Sequence, residues 1–394
     1  MTKVVLGAFF YAKKEDRRDF YDKRCITLRY CRKFLRPEKL KQARQEFLEN
    51  KISREKLKLV ENEAIADLVE KEKQLGLKVV TDGEFRRSYW HLDTFWGFGG
   101  IEHTIPEHGY FFHGEETRAD SATVSGKIHY VENHPDVQAF SYLKELIKDD
   151  DDVTARQSIP APAQLYVELF RDEHNKKITN EFYPDHKKLV ADISKAYREL
   201  ILDLYNHGCR DIKLDDCTWG VIVDDDFWNV FSEDGKYTRD GLQDLYLELN
   251  NGALVDLPED LRITTHICRG NYHSTWASKG GYEPVAAHVF AKENVDAFYL
   301  EFDDERSGGF EPLRFVPKGK EVVLGIITSK KPELEDKEEL KQRIKEAAKY
   351  VDLENLALST QCGFASTEEG NKLTEEDQEA KIKLVIETAK EVWK

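Results

Sequence analysis

No run of eighteen apolar residues occurs in this 394-residue chain, so the sequence predicts no membrane span. The amino-terminal stretch MTKVVLGAFFYAKKEDRRDF has a short apolar run that meets charges at once and lacks a small-residue cleavage site, so it does not read as a signal peptide. Paired cysteine spacing is absent as well. The six cysteines, at 25, 31, 209, 217, 268 and 362, are scattered, which favours free thiols or metal ligands over a disulfide framework. Together these absences predict a cytoplasmic protein. Positive charge is in deficit: 59 Lys and Arg stand against 75 Asp and Glu, a net charge of −16. That field repels polyanions, which argues against general binding to nucleic acid or to an anionic membrane and leaves room only for a local pocket for a small anion. No Gly-x-Gly-x-x-Gly follows a strand and no Walker motif occurs, so the phosphate-cradle signatures are missing. Internal repeats and long linkers are missing too.

What is present is alternation. Pro37 opens a helix running towards Glu49. A second helix spans roughly residues 53 to 75, with Ser53 as cap, Leu57, Val60, Ala64, Leu68 and Leu75 at helical spacing, and Gly76 as its stop. The short apolar run Leu77 to Val80 then leads into Thr81-Asp82-Gly83-Glu84. Residues 90 to 150 are rich in aromatics and glycine and read as an elaborated loop with a small strand near Ile128 to Tyr130 and a helix from Pro135. Further strands are expected at 153–159, 211–216, 262–268, 297–301, 321–328 and 356–360. Helices are expected at 185–207, 240–250, 283–292, 336–350 and 374–393. Seven strands, most followed by a helix, predict a parallel sheet. An eighth before Pro37 would close an α/β (β/α)8 TIM barrel, with an open doubly wound sheet as the rival.

The polar residues gather at the ends of these strands. One ends in Asp82 and Glu84, one in Asp215 and Asp216, one in His266 and Cys268, one in Glu301 and one in Gln361-Cys362-Gly363. On a strand, residues two apart share a face, so His266 and Cys268 aim together. In a barrel the strand ends form one ring, and His266, Cys268, Glu301 and Cys362 supply the imidazole, carboxylate and thiolates that a tetrahedral Zn2+ takes. Two thiolates and a carboxylate outweigh the dication, so such a centre is a poor hydrolase metal and suits holding an added thiol as thiolate. Each member alone has a plainer reading. A buried cysteine is usually a small hydrophobe, and Cys209 is read that way. His273 and His288 are read as solvated, though either is a rival to Glu301. Glu84 and Asp215 could be a glycosidase acid and base or a grip for an ammonium group, and Glu84 could equally be salt-bridged to Arg86 or Arg87. Trp90, Trp96 and Trp219 are candidates to stack on a flat ring or to fill the core.

At these residues the chain resembles the cobalamin-independent methionine synthase family, in its zinc-bearing carboxyl-terminal barrel. The family's metal motif matches His266-Ile267-Cys268, the Glu301 of FYLEFDDERSG and the Cys362 of LSTQCG. Its Gly-Glu for the amino group of homocysteine matches Gly83-Glu84 in VVTDGEFRRSYW, and its aspartate matches Asp215 in IKLDDCTW. The stretch TDGEFRRSYWHLDTFWG is similar to a shorter, single-barrel bacterial branch. The resemblance covers roughly residues 34 to 394 and implies a single zinc-dependent methyltransferase barrel over them. It implies transfer of a methyl group to zinc-bound homocysteine, giving methionine, with a 5-methyltetrahydrofolate as donor. The same fold could serve another donor or thiol, such as a corrinoid-linked methyl carrier, or a non-catalytic zinc-binding paralogue.

Three departures stand out. The chain has one barrel where full-length members have two. The loop RGNYHSTWASKGGYEP lengthens the interval between Cys268 and Glu301 and is placed to reshape the donor site. The first strand keeps Phe34-Leu35-Arg36-Pro37, but Arg32-Lys33 replace the family's Gly-Ser, and the histidine proposed to protonate the folate is absent around Gly325 to Ser329. Residues 1–33 thus read as an irregular or altered segment with a disrupted first strand. Residues 20 to 33 further look like a stretch read in a shifted frame, with the frame restored at Phe34. An uninterrupted coding frame, with these residues present in the mass spectrum of the purified protein, would dismiss that reading.

Overall fold

A computed structural model describes residues 33–393 apart from 233, 234 and 236. The altered amino-terminal segment, except for Lys33, and with it most of the disrupted first strand, lies outside the described residues. Strands β1 (Val79–Val80) and β2 (Thr154–Ala155) pair in parallel, and Arg156 alone separates β2 from β3 (Gln157–Pro160). From β3 a parallel sheet continues through β4 (Asp211–Asp216), β5 (Arg262–Ile267), β6 (Ala297–Glu301), β7 (Glu321–Ile327) and β8 (Leu356–Thr360), each strand beside the next in the chain. Six of these seven expected strands are nearly continuous buried runs, as parallel strands covered on both faces must be. The fold is the TIM-barrel type.

Residues 33–37 form no strand, and among the described residues the loops after β1 and β8 are tied together by Arg36. The buried Arg36 guanidinium donates to the Glu84 and Arg87 carbonyls at 2.8 and 3.0 Å on one side. On the other it donates to the Ala365 and Thr367 carbonyls, both at 3.2 Å. Tyr89 and Thr367 add an antiparallel bridge between the same loops.

Local rules set the helix ends. Ser53 accepts from the Lys56 N–H and starts the helix Arg54–Gln74, and Gly76 ends it at φ +82°, a conformation a side chain would resist. Thr374 and Asp377 cap the last helix, Glu375–Val392, reciprocally. Residues 90 to 150 are more ordered than the loop expected from sequence. A two-stranded antiparallel ribbon, Gly99–Thr104 with Ser121–His129, packs against the helices Glu173–Phe182 and His186–Asn206, and the helix Pro135–Leu146 follows it in the chain. Glycine and small polar residues leave the strands GGIEHT and SATVSGKIH without a clear period-two alternation. No helix among the described residues is long and apolar enough to cross a membrane.

One buried polar node fastens the helices to the sheet. Asn250 donates to Asp216 Oδ2 at 3.0 Å and to Glu293 Oε1 at 2.9 Å. Burial, aided by the Asp216 charge, pushes the Glu293 carboxyl up to about 8. Its unfolded value is about 4.3. The folded state therefore holds the extra proton between those values, and the stability this group contributes is complete below the unfolded value and is lost as pH rises through about 8. Glu293→Gln mimics the protonated form, so thermal melts of parent and variant should diverge as pH rises from about 5 to about 8, in the variant's favour, by on the order of 1 kcal/mol per pH unit.

Candidate active site

The site is built on the register of the strands. Asp215 on β4 pairs with His266 on β5, and His266 pairs with Tyr299 on β6. Paired residues of a parallel sheet share a face, so these side chains all enter the barrel mouth together. Cys268 and Glu301 lie two residues further on and one layer higher. Cys362 comes from the loop after β8.

The structure brings all four predicted ligands together: His266, Cys268, Glu301 and Cys362 are buried, with ligand atoms within 4.8 Å of one another. His266 Nδ1 lies 3.2 Å from the Tyr299 carbonyl, which fixes a proton on Nδ1 and presents Nε2 to Glu301 Oε1 at 4.0 Å. Glu301 Oε2 accepts the Arg269 N–H at 2.8 Å, while Oε1 is buried without a hydrogen bond. The Cys268 and Cys362 sulfurs are 3.8 Å apart and form no disulfide. Two thiolates on one tetrahedral zinc, with Zn–S of about 2.3 Å, sit about 3.8 Å apart. The electrostatics of the cluster also call for a cation. The neighbouring Cys217 thiol, followed by burial and the Glu301 charge, pushes Cys268 well above the ordinary thiol range, and burial pushes Glu301 up to about 7. A dication among them would reverse both effects. The residues therefore fit the metal that the donor set suggests.

The rival ligands fall elsewhere. His273 pairs with Glu115 at 2.6 Å and His288 faces Asp244 at 3.6 Å. Cys209 is fully buried and its thiol bonds only backbone, as a packing cysteine would. Cys217, which directly follows strand β4, reaches the cavity and touches Cys268.

Glu84 and Asp215 lie close enough to feel each other's charge, and Asp215 that of His266. Gly83 and Glu84 both adopt positive φ, +66° and +59°, which is strained for a glutamate. The turn is held by the Asp82 carboxylate on the Glu84 N–H and by Arg36 on the Glu84 carbonyl. Arg87, not Arg86, is the cation beside Glu84, at 3.3 Å, and is itself held by Asp136 at 2.8 Å; Arg86 pairs with Glu61. Asp215 lies 2.9 Å from Lys213 Nζ and 3.0 Å from Lys33 Nζ. Burial opposes its charge, but the two lysines hold its carboxyl well below the usual range, whereas burial raises Glu84 despite Lys33 and Arg87. Lys33, read from sequence only as a replacement for an expected Gly-Ser, is thus part of the site.

Asp215, His266, Cys268 and Lys33 line one cavity of about 960 Å³. Trp90, Tyr110, Phe111, Phe112 and Phe227 line it, and Arg269 to Asn271 of the long loop form one wall. Of the three tryptophans considered as ring platforms, Trp90 lines this cavity; Trp219 is fully buried in the core and Trp96 packs outside. A buried relay that sequence did not suggest runs beside it: His91 Nε2 is 2.9 Å from the Tyr110 hydroxyl, which donates to Glu168 at 2.7 Å. These partners are separated by 19 and 58 residues, so no local motif announces them.

Comparison with known proteins gives a consistent answer. Residues 179–391 match the family described as the catalytic domain of cobalamin-independent synthase. The uncharacterized protein YxjG of Bacillus subtilis is 44% identical over 91% of this chain and 93% of its own length. A methionine synthase of Pyrococcus horikoshii is 26% identical over 47% of this chain and 46% of its own. Among solved structures, a Listeria monocytogenes protein described as a vitamin-B12 independent methionine synthase superposes with a TM-score of 0.73 at 34% identity, covering 93% of this chain and 98% of that one. The B12-independent methionine synthase of Shewanella sp. W3-18-1, solved with selenomethionine, shares the fold with a TM-score of 0.64 at 21% identity, over 87% of this chain and 90% of that one. The chain belongs to the cobalamin-independent methionine synthase family and is a methyltransferase.

Proposed function

We propose that this chain transfers a methyl group to the thiol of homocysteine, forming methionine, with Zn2+ held by His266, Cys268, Glu301 and Cys362 and a 5-methyltetrahydrofolate as donor. The observation that supports the reading is the buried two-sulfur, imidazole and carboxylate cluster, whose His266 and Cys268 line the same cavity as Asp215. When bound there, zinc would keep an added thiol deprotonated at neutral pH and still nucleophilic towards carbon.

The chain's own residues do the rest. Glu84 and Asp215 receive the ammonium group of the amino acid, and Arg87 keeps the Glu84 side chain in place. Held at that end, the amino acid directs its sulfur towards the cluster. The methyl donor enters from the aromatic side of the cavity, where Trp90 and the phenylalanines offer faces for a flat ring. Attack of sulfur on the methyl carbon in line with the departing atom then depends mainly on positioning. One barrel, spanning residues 34–394, carries all of these groups.

Three outcomes are expected. The purified protein binds about one zinc per chain by metal analysis, and Cys362→Ala loses most of it. Incubated with homocysteine, it forms methionine from 5-methyltetrahydrofolate, as mono- or polyglutamate, in preference to methylcobalamin; the reverse preference would assign a corrinoid-type donor. Zinc without methionine from any donor would refute the catalytic reading. Glu84→Gln should raise KM for homocysteine by about tenfold to a hundredfold with a smaller change in kcat, as expected for the loss of a charged hydrogen bond made in both ground and transition states.

A further inference from the structure

The amino-group subsite already holds an ammonium group, and it belongs to the chain. Lys33 Nζ sits 3.0 Å from Asp215 Oδ2 and 4.6 Å from the centre of the Trp90 ring. A primary ammonium between a carboxylate and an indole face is the arrangement by which proteins recognise ammonium ligands. The side chain is 4% exposed and lines the same cavity as Asp215, His266 and Cys268. Its backbone is pinned to the loop that carries Cys362: the Phe364 N–H donates to the Lys33 carbonyl at 2.6 Å. The two backbones are so close there that a Cβ on Gly363 would collide with Lys33.

Charge completes the argument. Asp215 faces two lysines, Lys213 at 2.9 Å and Lys33 at 3.0 Å, and Glu84 faces Arg87 at 3.3 Å. The carboxylates are therefore neutralised before any ligand arrives, and an incoming ammonium would meet a cation already in its place. We propose that Lys33 is a specificity-determining residue: its ammonium occupies the subsite for the amino group of the acceptor and competes with it. This rests on the reading of Glu84 and Asp215 as the amino-group subsite. Any amino acid that binds must displace the Lys33 head group, whereas a sulfur ligand of the same length without an α-amino group need not.

Calorimetric titration of the zinc-loaded protein with methionine and with 4-(methylthio)butanoate, its analogue lacking the amino group, tests this without any turnover. Lys33→Ala should bind methionine at least fivefold more tightly than the parent chain, with the affinity for 4-(methylthio)butanoate changed less than twofold. Lys33→Met, which retains most of the packing of the stem without its charge, replaces the alanine variant if that chain does not fold. A gain for methionine below fivefold, a loss, binding to neither chain, or an equal gain for both ligands would overturn the proposal. So would a peptide map of the same sample that lacks Lys33. The metal content of the same samples judges the zinc reading separately, so failure of one is not mistaken for failure of the other.

Discussion

One constraint organises this molecule: the parallel register that lines up residues of successive strands at the same height. Pro160, Asp215, His266, Tyr299, Val323 and Ala357 form a single row across β3 to β8. Because paired residues share a face, a row is also a layer inside the barrel. The row changes character around the ring. Asp215 and His266 are polar, whereas Tyr299, Val323 and Ala357 pack on one another as a small apolar cluster of their own. A shift of one residue in any strand would turn its member of the row outward and remove it from the site.

The same geometry forces charge into the barrel, and each charge is answered nearby. One layer below Asp215, Lys213 reaches up to it. Lower still, Arg156 forms a two-pronged pair with Asp211 at 2.7 and 2.8 Å and donates to the Tyr299 hydroxyl at 2.7 Å. Such pairs contribute little net stability, because removing both charges from water offsets their attraction. Their consequence is positional: a buried ion pair tolerates few arrangements, so the side chains above it start from fixed places. The strained turn at Gly83 and Glu84 fits the same logic, since it persists only because Asp82 and Arg36 hold both sides of it.

Much of this was legible in the sequence, and for identifiable reasons. Buried parallel strands are short apolar runs, and their polar exit residues stand out against them, so the residue order alone places Glu84, Asp215, His266, Cys268 and Glu301 at one mouth. Cys362 joins them because its strand is the last in the ring. Helix ends were legible where a cap acts locally, as at Ser53 and Thr374. Contacts between distant segments were not. Arg156 with Asp211 and His91 with Tyr110 depend on how strands and loops meet in space, and neither pair has a spacing that marks it. The ribbon over residues 99 to 129 was hidden for another reason: its strands, GGIEHT and SATVSGKIH, hold few large apolar residues and do not alternate cleanly between buried and exposed.

The junction between the described chain and its amino terminus joins these threads. A closed barrel needs a first strand between β1 and β8, and among the described residues none is present there. Arg36 ties the two flanking loops together by donating to four carbonyls, two from each loop. Those loops are the ones that carry Glu84 and Cys362, so closing the barrel and setting the separation of the proposed amine and metal subsites are one structural event. Lys33 lies three residues before Arg36, on the same short segment. Its ammonium therefore enters the site from the element that seals the barrel, and the charge balance at Asp215 is tied to how that element is seated. The proposed acceptor site and the junction that Arg36 forms between the two loops thus lie in the same place in the fold.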